Sequence, residues 1–492
     1  MKKILLSLLF LSLIFSSYAN NKRLQAILTY STFFSPEHGP FFETYLAVDG
    51  RTVNYTKNTV GKYQAVIQVT MIIKQNNVIK DFKKYELNSN EIEDTNNINF
   101  SFIDQQRFLL PNGKYMFEII ISDKFSDKQP YKTEEEIIID FPEDKISISG
   151  IQLIDSYKKS TSPSIITKSG LDLVPYVSDF YPEKVEKITY YAEIYNTEKK
   201  LGKNENFLTT VYVESYETSK KISNLIKNKR EQSKIVNVVF GEFSLLQLPS
   251  GNFNLVLEVR DKNNQLIAAN KIFFQRSNPK IQFDIKDIAA LSVEETFAGK
   301  INDLNEIIDY IKSLNPISSE LERNFINQKI KTADLKLLQQ FFFNFWLQRN
   351  STDPERAWLA YKEKVILVNN KFGTKVKKGY ETDRGRVYLE YGAPNEIVDR
   401  SFEASKGLND EGWGSVPYQI WHYYKINNQS NKKFVFYNPN LASNDYELIH
   451  SDALGEVNDP NWYQRLSRSN ELYEDNQRKP GGKAGELFRN PR

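Results

Sequence analysis

The chain has 492 residues, a formal net charge of +3 and no cysteine. That length is too great for one hydrophobic core and predicts several domains. The near-neutral, interspersed charge excludes the clustered basic face that nucleic-acid binding requires, and the missing cysteine excludes disulfides, thiolate metal sites and a cysteine nucleophile.

Lys2 and Lys3 precede an apolar run from Ile4 to Phe15, and Ser17 and Ala19 supply small residues before Asn20. This is the pattern of a cleavable secretory signal peptide, and the run is shorter than the ~20 residues a spanning helix needs. Residues 1–19 are therefore expected to be removed, leaving an exported mature chain with no transmembrane span. Lipid anchoring through a leader cysteine is excluded as well. An exported chain of this size without disulfides favours a bacterial envelope, with the periplasm as the expected compartment and the cell surface or medium as alternatives.

Residues 20–145 read as a β-sandwich: Ala65 to Ile73 and Lys114 to Ile121 are β-branched and aromatic, with polar turns between such runs. Residues 146–277 read as a second. An internal repeat links them. Pro111-Asn112-Gly113 and Pro249-Ser250-Gly251 each open a strand, followed by Asp123-Lys124 and Asp261-Lys262.

The period then turns helical over 284–372. Ser292 to Glu295 has the form of a capping box, and Leu304, Ile307, Ile308, Ile311 and Leu314 follow at helical spacing. A second helix carries Leu335, Leu338, Phe342, Phe345 and Trp346 on one face. A third starts near Asp353-Pro354 with Trp358, Tyr361, Val365, Val368 and Phe372. All five tryptophans lie beyond position 340. In residues 373–463, Arg386 to Tyr391 alternates like a strand, and Ile420 to Tyr424 and Lys433 to Tyr437 read as two more. Residues 464–492 are polar and charged, a composition expected to be disordered in isolation.

The ordered series Gly379, Tyr380, Thr382, Asp383, Arg384, Gly385 and Arg386, then Tyr391, Gly392 and Pro394, resembles the signature of the GWxTD-domain family. Phe345-Trp346 with Arg349 resembles its upstream element. Pro417-Tyr418 with Trp421, His422 and Tyr423 resembles its downstream one. The resemblance covers about Ser292 to His450, and departs at Tyr380, where the name-giving Trp would stand, and at Asn350, where an Asp is usual. It implies a secreted or periplasmic protein of Bacteroidetes-type bacteria, with β-sandwich domains ahead of the motif domain. It brings no established activity with it. The expected architecture is thus multidomain, mainly β then α+β: two tandem Ig-like sandwiches, a helical segment and a GWxTD-like α+β unit.

The chemistry of these residues admits two readings. Thr382 and Asp383 can cap the element that follows, and Asp383 can pair with Arg384 or Arg386. Alternatively, Asp383, both arginines, Trp421 and His422 line a binding cleft, since aromatics and arginine suit sugar stacking and carboxylate binding. Three histidines, His38, His422 and His450, are too few and too dispersed for a zinc site. There is no Gly-x-Ser-x-Gly elbow, phosphate-binding loop or dinucleotide fingerprint. No catalytic residue, cofactor or metal is assigned; an oxygen-ligated cation stays open. The expected function is a non-enzymatic envelope protein whose partner is another envelope protein, such as an outer-membrane assembly, secretion or surface complex. The alternative is an envelope hydrolase or glycan-binding protein with its pocket at the signature.

Overall fold

The computed structural model describes residues 24–281, 291–400, 416–426, 429–441, 443–459 and 461–466, together with 484, 487 and 488. The expected leader, Trp413 and most of the tail lie outside these residues.

The first sandwich packs two antiparallel sheets. One has the order β1-β2-β5, formed by β1 (Ala26–Ser35), β2 (Gly39–Asp49) and β5 (Ser101–Leu109). The other is β4-β3-β6-β7, formed by β3 (Val66–Gln75), β4 (Val78–Asn88), β6 (Gly113–Asp123) and β7 (Tyr131–Ile139). Strict alternation on β3 sends Ile67, Val69, Met71 and Ile73 inward, where they are fully buried against Phe42, Phe108 and Phe117.

The second sandwich repeats this wiring. Its strands are β8 (Gln152–Lys159), β9 (Leu171–Pro175), β10 (Lys187–Tyr195), β11 (Asn206–Ser215), β12 (Lys221–Gln232), β13 (Val236–Ser244), β14 (Gly251–Arg260) and β15 (Leu266–Arg276). β8 and β13 flank β10 as β1 and β5 flank β2, and β12-β11-β14-β15 matches β4-β3-β6-β7. The two Pro-x-Gly turns make the same connection in each, from an edge of one sheet to an inner strand of the other. The repeat seen in the residues is therefore a repeat of topology.

Between the sandwiches lies a buried ion cluster. Glu43 on β2 is wholly buried and bonds Lys168, itself 5% exposed, while Arg107 reaches the same carboxylate at 2.6 Å and the Tyr45 hydroxyl donates to it at 2.6 Å. Phe33, Phe41, Ile154, Leu173 and Tyr191 form an apolar cluster beside it.

After the short helix α1 (Thr197–Leu201) in the second sandwich, the remaining α-helices among the described residues are α2 (Leu304–Ser313), α3 (Glu320–Lys329), α4 (Leu335–Arg349), α5 (Pro354–Phe372) and α6 (Asp383–Tyr391). An antiparallel sheet β16-β17-β18-β19 follows, formed by β16 (Glu396–Arg400), β17 (Tyr418–Ile426), β18 (Gln429–Tyr437) and β19 (Glu447–Ser451). One core runs from Ile307 through Trp346 and Trp358 to Trp421 and Phe434, so helices and sheet fold as a single unit.

Three expectations are corrected. Arg386 to Tyr391 is helical, because Thr382 caps it and Arg384, Val387 and Tyr391 fall on one helical stripe. Ser292 caps no helix: its hydroxyl bonds Glu294 in a turn, Asp303 caps α2, and the capping box is Ser319 with Glu322 at α3. At Leu487 and Phe488 the tail is packed, joining Trp462 and Leu466 against the C-terminal sheet.

Candidate functional site

The signature forms a wedge between α5 and the C-terminal sheet. Residues Gly379–Glu381 make a single 3-10 turn, and Thr382 closes it. The buried Thr382 hydroxyl donates to the Gly379 carbonyl at 2.7 Å and accepts the Gly385 amide at 3.1 Å, so one side chain ends the turn and caps α6. The two glycines are required by contact. A Cβ on Gly379 would stand 2.0 Å from the Val368 carbonyl oxygen, and one on Gly385 would stand 1.8 Å from the Gly379 oxygen.

Tyr380, in the place of the name-giving Trp, is buried against α2 and α5. Its hydroxyl donates to Asp309 at 2.7 Å and its amide to the Asn369 side chain at 3.3 Å. Burial, then Asp309, pushes the phenol well above its ordinary value. Asp309 also holds Lys378 at 2.6 Å.

Asp383 sits in the first turn of α6, where a carboxylate complements the helix dipole. Its Oδ2 accepts the Leu448 amide at 2.7 Å, tying α6 to β19. Arg384 is buried between the rings of Tyr446, 4.1 Å away, and Phe372, 5.2 Å away. It donates to Gln419 at 3.2 Å and to both the carbonyl and the side chain of Asn444. Burial lowers its guanidinium pKa. Gln419 in turn accepts the Trp421 indole N–H at 3.1 Å and donates to Asp399 at 2.7 Å. Arg386 clasps Glu456 through both terminal nitrogens, at 2.8 and 2.7 Å, and reaches Glu390 at 3.0 Å. The Tyr391 hydroxyl joins Glu456 at 2.9 Å. The amide of Gly392 ends α6 on the Tyr388 carbonyl, the Tyr423 hydroxyl donates to the Gly392 carbonyl at 2.9 Å, and Pro394 is half-buried in the link to β16.

The flanking elements behave alike. Arg349 grips both oxygens of Glu322 at 2.9 Å and the Ile317 carbonyl at 2.7 Å, locking the α3 cap to α4. Asn350 accepts the amides of Thr352 and Asp353, shaping the turn into α5.

His422 is buried on β17 with Nδ1 3.7 Å from Glu396, and burial holds its pKa below the usual value. His450 accepts the Asp459 amide at 3.1 Å and stacks on Trp462; burial lowers its pKa to about 4. Among the described residues no three His, Asp or Glu side chains are placed to hold a metal ion, and no helix is long and apolar enough to cross a membrane.

A cleft of about 330 Å³ does open beside the signature, between the ends of α2 and α3 and the 3-10 turn. Tyr380 and Glu381 line it with Lys312, Asn315, Ile326 and Lys331. Asp383, Arg384, Arg386, Trp421 and His422 do not. The geometry thus brings the signature together as a set of internal clamps. Their partners Gln419, Asn444, Glu456 and Asp309 were not singled out from sequence, although Gln419 lies in the downstream element and Asp309 in the expected helix from Leu304 to Leu314.

No curated protein matches the chain. Among solved structures, fibronectin(III)-like modules of Clostridium thermocellum CbhA are similar at 8% identity and a TM-score of 0.15, covering 50% of this chain and 89% of theirs. A calcium-binding mutant of Bacteroides uniformis beta-glucuronidase 2 is similar at 8% identity and a TM-score of 0.17, covering 51% and 32%. Likeness at that level carries no argument about fold or function. The family comparison is specific: residues 285–471 match the model of the GWxTD domain, the family that the signature resembles, and the chain carries that domain over this span.

Proposed function

We propose that this is a non-enzymatic protein of the cell envelope, an exported interaction subunit that docks to an outer-membrane, secretion or surface assembly from the periplasm. The observation that carries this reading is the fate of the charged signature side chains. Asp383, Arg384 and Arg386 each bond a residue 35 or more positions away, so all three charged side chains tie distant parts of the domain together. Two sandwiches joined through a buried ion cluster give a stiff spacer, suited to presenting a domain at a fixed distance. Affinity purification of the native chain from crosslinked envelope extracts tests the reading: a stoichiometric envelope partner is expected, and recovery of the chain alone contradicts it.

One observation favours a second reading, a small-ligand site for a glycan or another polar molecule. The cleft beside Tyr380 carries the unpartnered Asn315 Oδ1 in its wall. Equilibrium binding of oligosaccharides to the purified chain, compared with an Asn315→Leu variant, separates the two.

A further inference from the structure

A crevice of about 500 Å³ lies at the junction of the two sandwiches, far from the signature in sequence. One wall is the run 103–106 of β5; the other is Ile165, Ile166, Val174 and Pro175 of the second sandwich. Among the described residues β5 is the last strand of its sheet and pairs only with β2. The bonds that continue this ladder, Gly50 amide to Phe100 carbonyl and Leu110 amide to Pro40 carbonyl, fix its alternation. Even-numbered residues of β5 exchange bonds with β2, so odd-numbered residues present N–H and C=O to the open edge. Ile103 and Gln105 therefore offer main-chain donors and acceptors at two-residue spacing, and no group among the described residues pairs them.

The Gln105 side chain adds a second sign of a missing partner. It is 7% exposed, its Nε2 donates to the Ile165 carbonyl at 3.1 Å, and its Oε1 is buried without a hydrogen bond. A buried acceptor left unsatisfied costs about 1–3 kcal/mol, which a donor entering the crevice would relieve. Apart from Asp104 and Gln106 the rest of the lining is apolar, with Ile103 and Ile165 40% and 42% exposed. Its one acid, Asp104, has both oxygens taken, by the Tyr85 hydroxyl and the Gln106 amide, so it offers no free acceptor to an entering side chain. The crevice is also continuous with the inter-sandwich interface, since Arg107 donates to Ile165 on one side and holds Glu43 on the other. Both walls are thus fixed before anything binds.

We infer that this crevice binds an extended, uncharged segment of a partner protein, which adds as a strand to the open edge of β5. Main-chain pairing to Ile103 and Gln105 supplies affinity, and alternate apolar side chains fill the space against Ile165, Val174 and Pro175. The four lining residues span roughly 10 Å at strand rise, the length of about four added residues. The inference rests on the interaction-subunit reading for its biological role, and on the crevice alone for its existence.

The test is selection of a random twelve-residue peptide library, displayed on phage, against the full chain, with counter-selection against Ile103→Arg/Ile165→Arg. Both positions are exposed enough to keep the variant folded. Enriched peptides are expected to alternate apolar residues and lack proline. They should slow amide exchange at Ile103 and Gln105 at least tenfold, lose binding when alternate amides are N-methylated, and bind Gln105→Leu at least fivefold more weakly. The inference is overturned if no peptide distinguishes the wild type from the arginine variant, or if bound peptide leaves those two amides unprotected. Such a failure removes this site and leaves partner capture from the envelope, a separate experiment, standing.

Discussion

Substituting Gly385 with alanine puts the largest load on the signature. The added Cβ would lie 1.8 Å from the Gly379 oxygen, 2.7 Å from the Gly379 carbonyl carbon and 2.8 Å from Val368 Cγ1. Relief requires the backbone to move by more than about 1 Å to reach the closest separations real packing allows. The 379–381 turn cannot supply it, because Gly379 is itself pressed onto the Val368 and Asn369 backbone of α5. Overpacking typically costs about 1–3 kcal/mol, and a clash with main chain that is itself wedged in place belongs to the rarer class at about 4 kcal/mol or more. Gly392→Ala is the control. It has open space, and the cost is confined to the backbone, φ +85° and ψ −166°, at about 1–3 kcal/mol. Because all five tryptophans lie beyond position 340, tryptophan fluorescence in urea reports the C-terminal unit alone. At a slope of about 2 kcal/mol per M, Gly385→Ala should lower the midpoint by roughly 2 M, with the sandwich transition seen by far-UV dichroism unmoved. Equal midpoints for Gly385→Ala and Gly392→Ala would refute the wedge.

Three further outcomes are expected. Glu322→Gln leaves Arg349 half-gripped at a site where both side chains are 13% exposed, and should cost the same unit about 2 kcal/mol by urea titration. His450 has a folded pKa of about 4 against an ordinary value near 6.5, so the unfolded chain takes up its proton first on acidification. The stability it contributes is complete above about pH 6.5 and is lost as pH falls towards 4. That is about 3 kcal/mol across the window, and a His450→Gln variant should show a correspondingly flatter pH profile. In the sandwich junction, Glu43→Gln strands the buried Lys168 and should cost about 3–5 kcal/mol, while Glu43→Met/Lys168→Met recovers part of it; a thermal double-mutant cycle measures the coupling.

Much of this architecture was legible from local pattern. The alternation of β3, the Pro-x-Gly repeat and the aromatic faces of α4 and α5 each lie within one element, and the structure places them as read. The misreadings share a cause. Residues 386–391 alternate in a window too short to separate strand from helix, and the deciding signal, the Thr382 cap, lay outside it. α3 was overlooked because its apolar face is thin, Phe325, Ile326 and Ile330, although Ser319 and Glu322 form the capping box sought at Ser292. The clamps themselves were beyond local reading: Glu456 meets Arg386 and Asn444 meets Arg384 across 70 and 60 residues. Asp383, the two arginines, Trp421 and His422 admit a cleft reading beside the structural one for that reason, since the sequence shows the charges and not what they bond.

The most direct test of the account compares Asp383→Asn with the wild type in partner capture from envelope extracts, with the tryptophan-detected transition measured on the same samples. Asparagine keeps an acceptor for the Leu448 amide and removes only the charge. If the signature holds the fold, the variant should keep its midpoint within about 1 kcal/mol, the worth of a typical hydrogen bond, and capture the partner as the wild type does. A variant that is folded to the same degree yet captures nothing would contradict the account and make Asp383 part of the functional surface.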